Sequence, residues 1–144
     1  MAYLLAFSGN MVLGFELLTC IKVLVTLFSA VLFLQSGADK VLDWSGNRSY
    51  ISGIFGKTIF RSFVPVLLPT ISLLEVASGL FSLAGAGVLL ADGSEKLAVT
   101  GLVFGAVSIL LLFTGLRIAK DYGGAAGITP YFLFFMLALL VFAL

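Results

Sequence analysis

The chain has 144 residues, of which 61% are hydrophobic and only 10% are charged. A soluble domain carries about 25% charged residues, so this composition and a mean hydropathy of +1.22 exclude a soluble globular protein and indicate an integral membrane protein. The net charge of +1 provides no basic field for nucleic acid.

Few residues are available for cofactor chemistry. The chain contains no histidine, and Cys20 is its one cysteine. These counts exclude imidazole-ligated haem, metal sites built on imidazole, Ser-His catalysis, an internal disulfide and an iron–sulfur cluster held by this chain alone. We therefore expect no metal site and no covalently bound cofactor, so that any redox cofactor would depend on non-covalent contacts.

The first membrane span is predicted over about 17–36. Met1 to Gly14 is uncharged and too short to span alone, so we expect either a short interfacial helix or an outer extension of this span. Polar residues recur along one side of the span at helical spacing, and this stripe is predicted to face the polar side of the second span; its members are Lys22, Thr26, Ser29, Ser36 and Lys40.

The first loop, 37–63, holds six of the fifteen charged residues and is interrupted by glycines. Trp44 and Tyr50 suit the headgroup layer of a bilayer. The loop is too apolar to be disordered, so it is predicted to form one or two short helices lying on the membrane.

The second span, predicted over 65–91, carries one charge, Glu75. Its small and polar residues share a face with Glu75 at three-and-four spacing, namely Ser72, Ser78, Gly79, Ser82 and Ala86. A carboxylate at membrane depth is costly unless it is compensated, and it is functional by default. Glu75 is therefore predicted to point into the bundle, as a proton-relay candidate or as an inert structural anchor.

The third and fourth spans are predicted over 97–116 and 129–144. The short polar turn before residue 97 makes the second and third spans antiparallel neighbours. Gly101 and Gly105 allow close approach of another helix. A flexible turn is expected at 123–127, and Pro130 is expected to open the fourth span, whose apolar surface is predicted to contact lipid or another subunit.

Basic residues predict the orientation of the chain. The first and third loops lie on one side of a four-span bundle and hold most of the cations, namely Lys40, Arg48, Lys57, Arg61, Arg117 and Lys120. The positive-inside rule then predicts these loops in the cytoplasm and both termini outside.

Polar residues from three spans are predicted to converge near that same membrane face, around Glu75, as a pocket of Ser36, Asp39, Lys40, Tyr50, Arg117 and Asp121. Such a pocket could pair charges, relay protons or bind a polar headgroup. Lys40 is the first-choice ion-pair partner of Glu75. The alternative is a structural salt-bridge network that pins the first loop to the bundle.

The order of these motifs resembles a known family. Phe33-x-x-Ser36-Gly37-x-x-Lys40-x-x-Asp43, then Glu75-x-x-x-Gly79, then Asp121-Tyr122 before the last apolar span, is similar to the DoxX family of small four-helix membrane proteins. The resemblance covers roughly Leu27 to Leu144 and extends to the DoxD-type subunit of thiosulfate:quinone oxidoreductase and more distantly to MauE. It implies a four-helix bundle in a membrane redox setting, in the bacterial inner membrane and often within a complex. The Asp43–Phe60 loop and the extended N-terminus depart from short members of the family, so no partner is carried over.

Two functional hypotheses follow. The first is a redox-associated membrane subunit whose polar pocket meets a quinone or passes protons near it, with Glu75 as the protonatable group and Lys40 or Arg117 stabilising negative charge on the headgroup. The second is a non-catalytic subunit that braces or anchors a larger membrane complex. In both, the partners are the lipid bilayer and other membrane subunits.

Overall fold

The computed structural model describes residues 11, 12 and 14–144. The described part begins with a two-stranded antiparallel hairpin of β1 (Met11–Val12) and β2 (Phe15–Glu16). Gly14 closes its turn with a φ of 86°, a conformation that glycine adopts readily. Met11 and Val12 are therefore extended, not helical as predicted, and the rest of that predicted helix, residues 1–10 and Leu13, lies outside the described residues.

Helices form most of the described chain. They are α1 (Leu17–Leu42), α2 (Trp44–Phe55), a 3₁₀ turn (Arg61–Phe63), α3 (Val64–Asp92), α4 (Lys96–Ile118) and α5 (Tyr122–Ala143). Four of these segments are long and apolar enough to cross a membrane: α1, α3 with its leading 3₁₀ turn, α4 and α5. The prediction of an all-α four-helix membrane bundle with short helices in the first loop is confirmed.

Two helix ends differ from their predicted positions. Helix α1 continues from the predicted end at 36 to Leu42, because the polar residues beyond Ser36 are still compatible with a helix once it leaves the apolar layer. Helix α5 begins at Tyr122, so the flexible turn predicted at 123–127 is wrong and Pro130 lies inside the helix. The physical reason is the N-cap, where the Asp121 carboxylate accepts the Gly124 N–H at 2.9 Å.

Helix α3 is the central element, since it packs along both α1 and α4, while α5 packs mainly on α4. Small residues allow these close approaches. A Cβ on Gly79 would collide with Leu34 of α1, and one on Gly101 would collide with Ser82 of α3. Gly105 leaves room for two fully buried rings, Phe33 and Phe135, which stack with centroids 5.5 Å apart. The predicted close packing at Gly101 and Gly105 is confirmed.

Candidate functional site

Glu75 lies inside the bundle and is 1% exposed. Its Oε2 is 2.7 Å from Lys40 Nζ and accepts a hydrogen bond of 3.1 Å from Ser36 Oγ. Lys40 Nζ also donates to Ser36 Oγ at 2.7 Å. The predicted Lys40–Glu75 ion pair is confirmed, and Ser36 joins both charged groups to form a compact triad.

The local sequence explains why the triad forms. Ser36 and Lys40 are four residues apart on α1, so both side chains leave the helix on one face. Gly37 lies against Val76, and this contact brings the backbone of α1 close to Glu75. Val64 is the first residue of α3, and Glu75 follows it by eleven residues. At a rise of 1.5 Å per residue, Glu75 therefore lies about 16 Å along the helix from its start.

The ion pair with Lys40 compensates the buried charge of Glu75. Desolvation of two ions offsets much of their attraction, so a buried ion pair adds little net stability. Removing one partner leaves the other charge buried and unpaired, which costs about 3–5 kcal/mol. The triad is therefore costly to disturb, whichever role it has.

A cavity of about 310 Å³ opens beside the triad. Its walls come from α1, α2, α3, α4 and α5 and are overwhelmingly apolar, with Ile54, Ile71 and Leu112 among them. Lys40 is the only charged residue among the described residues that line this cavity. Lys40 therefore touches both the apolar cavity and the buried carboxylate.

The other predicted pocket residues separate into two groups. Tyr50 lines the same cavity as Lys40, although it is 64% exposed. Asp39 is exposed, and its backbone carbonyl accepts the Asp43 N–H that ends α1. The structure therefore brings Ser36, Lys40 and Tyr50 to the site and leaves Asp39 at the surface.

Arg117 and Asp121 do not join the triad either. Asp121 caps α5, as described above, and the Arg117 guanidinium lies 4.6 Å from the centre of the exposed Tyr122 ring. Both residues act at the α4–α5 connection, where local contacts satisfy them. Convergence at one membrane face was not enough to place them near Glu75.

Buried hydroxyls extend the polar face beyond the triad. Ser82 Oγ donates to Ser29 Oγ at 3.0 Å, and Ser78 Oγ donates to the Gly101 carbonyl at 2.7 Å. These contacts confirm that the polar stripe of α1 faces the polar side of α3. Within the described chain, Ser108 Oγ is fully buried and has no hydrogen-bond partner.

Helix register brings Ser108 to the level of the triad. Gly101 of α4 lies against Ser82 of α3 in an antiparallel pair. Two turns forward along α4 and two turns back along α3, the same register places Ser108 at about the level of Glu75.

A second ion pair lies at the opposite end of the bundle and was missed by the sequence reasoning; the Lys22 side chain is buried and the Glu95 side chain is 39% exposed. Lys22 Nζ is 2.8 Å from Glu95 Oε1 and lies 5.4 Å from the centre of the Phe142 ring. Lys22 is only 7% exposed. The available signal was the antiparallel order of the spans, which brings the starts of α1 and α4 to one membrane face.

Comparison of the chain with protein-family models, with curated proteins and with solved structures finds no match.

Proposed function

We propose that this protein is a DoxX-like subunit of a redox-associated membrane complex, and that its apolar cavity receives the headgroup of a quinone. The observation that carries the proposal is the position of Lys40, which lines the cavity and forms an ion pair with the buried Glu75. A ligand in the cavity would thus be in reach of an ammonium group that is itself linked to a protonatable carboxylate.

The fit between cavity and headgroup supports this proposal. Ligand sites have volumes of about 300–1,000 Å³, apolar walls and a small number of polar groups that orient the ligand. The cavity has about 310 Å³ and apolar walls, with Lys40 and Tyr50 as donors at its edge. A flat ring with carbonyl oxygens matches this lining, since the ring meets apolar side chains and the oxygens meet donors.

The chain's own residues would have distinct roles. A bound quinone supplies the electron-accepting chemistry, which is linked to proton uptake. Lys40 would orient a carbonyl oxygen and stabilise negative charge on it. Glu75 would hold or release a proton next to Lys40, and Ser36 would keep both groups in register through its hydrogen bonds.

Quinone retention tests the proposal. We expect quinone to be extracted from wild-type protein purified in mild detergent, and its amount per chain to fall about tenfold or more in Glu75→Gln. Lys40 then loses the carboxylate that holds its ammonium group at the cavity wall, and losing a hydrogen bond between charged groups costs about 1.5–3 kcal/mol. Ile71→Trp, which fills the cavity, should abolish retention. Glu95→Gln is the matched control, since it removes the acid of the other ion pair and should retain quinone.

Two results would reject the quinone assignment. One is quinone-free wild-type protein from membranes rich in quinone. The other is equal retention in wild type, Glu75→Gln and Ile71→Trp, since quinone held elsewhere on the surface would not respond to either change.

The second candidate is a non-catalytic subunit that braces or anchors a membrane complex. The observation that favours it is the mutual pairing of Lys40, Ser36 and Glu75, which ties the end of α1 to α3. On this proposal Glu75→Gln weakens assembly with other membrane subunits in mild detergent, and no quinone accompanies the wild-type protein.

For location, we infer the bacterial inner membrane, with the basic loops in the cytoplasm and both termini outside. The basic residues at the α1–α2 and α4–α5 ends of the bundle support this orientation.

A further inference from the structure

A second cleft, separate from the quinone-sized cavity, lies between α2 and the start of α3. It has a volume of about 580 Å³ and is lined by three exposed cations, Arg48, Lys57 and Arg61. Ser52, two glycines and the first residues of α3 complete its walls. A neighbouring cleft shares Lys57 and adds Lys120 from the connection between α4 and α5. Four positive side chains therefore surround one region at the end of the bundle.

Among the described residues, no carboxylate forms an ion pair with these cations. All seven acidic residues fall within the described residues, and the ion pairs found there are Lys22–Glu95 and Lys40–Glu75. The nearest acid in sequence to Arg48, Asp43, is engaged at the start of α2, where its carboxylate accepts the Gly46 N–H at 3.1 Å. The cleft thus keeps an uncompensated positive charge that favours an anion.

The cleft continues into an apolar groove. Arg48, Val64 and Pro65 border both, and the groove is completed by Trp44, Leu68 and Pro69. A ligand that followed this surface would have its anionic part among the cations and an apolar part against Trp44. This combination distinguishes an amphiphile from a free inorganic ion.

The position of the cleft suits the headgroup layer. Arg61 lies in the turn that leads into the long apolar helix α3, and Trp44 opens α2 directly after α1 ends. The ends of spanning helices lie at headgroup depth, where tryptophan is enriched and basic pockets bind anionic lipid headgroups.

We propose that this cleft binds the phosphate group of an anionic phospholipid, with the glycerol and upper acyl chain in the Trp44 groove. Arginine presents a planar fork of N–H donors that matches phosphate oxygens, and Arg48 and Arg61 supply two such forks in the lining of the cleft. Lys57 adds a third positive charge. The ligand class is shared with free phosphate, and the apolar groove favours the lipid.

Fluorescence of Trp44 gives a direct test, because Trp44 is the one tryptophan of the chain and lines the groove. Brominated phospholipids quench tryptophan on contact. In detergent solution we expect brominated phosphatidylglycerol to quench Trp44 with saturation, at a lipid fraction where brominated phosphatidylcholine has little effect. Three single variants should each raise the lipid fraction at half-maximal quenching about fivefold, namely Arg48→Gln, Lys57→Gln and Arg61→Gln.

Controls separate the sources of phosphate. Lys96→Gln removes an exposed cation at the other end of the bundle and should behave as wild type. Displacement of the brominated lipid by glycerol phosphate as effectively as by intact phosphatidylglycerol would overturn the lipid assignment and leave a free-phosphate site. Equal quenching by the two brominated lipids, or unchanged quenching in the variant with all three substitutions, would overturn the cleft as an anion site.

Discussion

At the scale of single residues, Lys40 is the side chain on which the most depends. It forms an ion pair with Glu75, donates a hydrogen bond to Ser36 and forms part of the wall of the apolar cavity. Its own side chain is 16% exposed, so it is neither a free surface cation nor fully enclosed. That intermediate position allows it to connect a buried acid with a ligand-sized space.

Loss of Lys40 alone should be more harmful than loss of the whole ion pair. We expect Lys40→Met to lower the free energy of unfolding by about 3–5 kcal/mol, because Glu75 is then buried without a cation. Lys40→Met combined with Glu75→Leu should recover most of that loss, since neither charge is desolvated. Denaturant titration in mixed micelles measures both variants.

Lys96→Met is the control for the removal of a lysine, since Lys96 is exposed and makes no ion pair among the described residues. A double variant no more stable than Lys40→Met would show that the pairing of the charges is not what stabilises this region.

At the scale of elements, the close contacts between helices depend on glycines, which have no side chain. A Cβ on Gly101 would come 2.6 Å from the backbone nitrogen of Ser82, so α4 can approach α3 only because Gly101 has none. The same approach lets Ser78 reach the Gly101 carbonyl. The close packing of α3 on α4 and the hydrogen bond from Ser78 therefore both depend on the absence of a side chain at Gly101.

Gly101→Ala should lower the free energy of unfolding by about 1–3 kcal/mol, since the added methyl forces α3 and α4 apart. Gly87→Ala is the matched control on the neighbouring helix, where a Cβ would meet nothing within 4 Å. That change should be neutral or stabilising by up to about 1 kcal/mol, because alanine is the better helix former. Equal loss in both variants, measured by the same titration, would contradict a packing role for Gly101.

At the scale of the whole molecule, charge is distributed unevenly between the two ends of the bundle. The end that carries α2 holds the cations of both proposed binding regions, Lys40 in one and Arg48, Lys57 and Arg61 in the other. The end that carries the α3–α4 turn holds Lys22, which is paired, and Lys96. A bundle with this asymmetry has a preferred direction in the membrane.

Thiol labelling tests the direction. In a Cys20→Ser background, Asp92→Cys and Ser45→Cys place single exposed thiols at opposite ends of the bundle. We expect a membrane-impermeant reagent added to intact bacterial spheroplasts to label Asp92→Cys, and to label Ser45→Cys only after the membrane is opened. The reverse pattern would place the basic loops outside.

The sequence alone determined the spans and one part of the site. Runs of apolar residues long enough to cross a bilayer are local features, so the four spans could be identified without knowledge of their neighbours. Glu75 and Lys40 were also predictable, because a buried acid needs a cation and the polar stripe of α1 offered one at the right depth. The start of α5 was mispredicted, since glycine content suggested a turn while the Asp121 cap started a helix.

Only the tertiary structure decided the remainder. The Lys22–Glu95 pair joins residues 73 positions apart, and the cavity beside Lys40 is enclosed by five helices. Neither follows from helical periodicity, because periodicity fixes which residues share a face but not the rotation and register at which two faces meet. Those depend on close contacts such as Gly101 against Ser82 and Gly37 against Val76, which exist only once the bundle is packed.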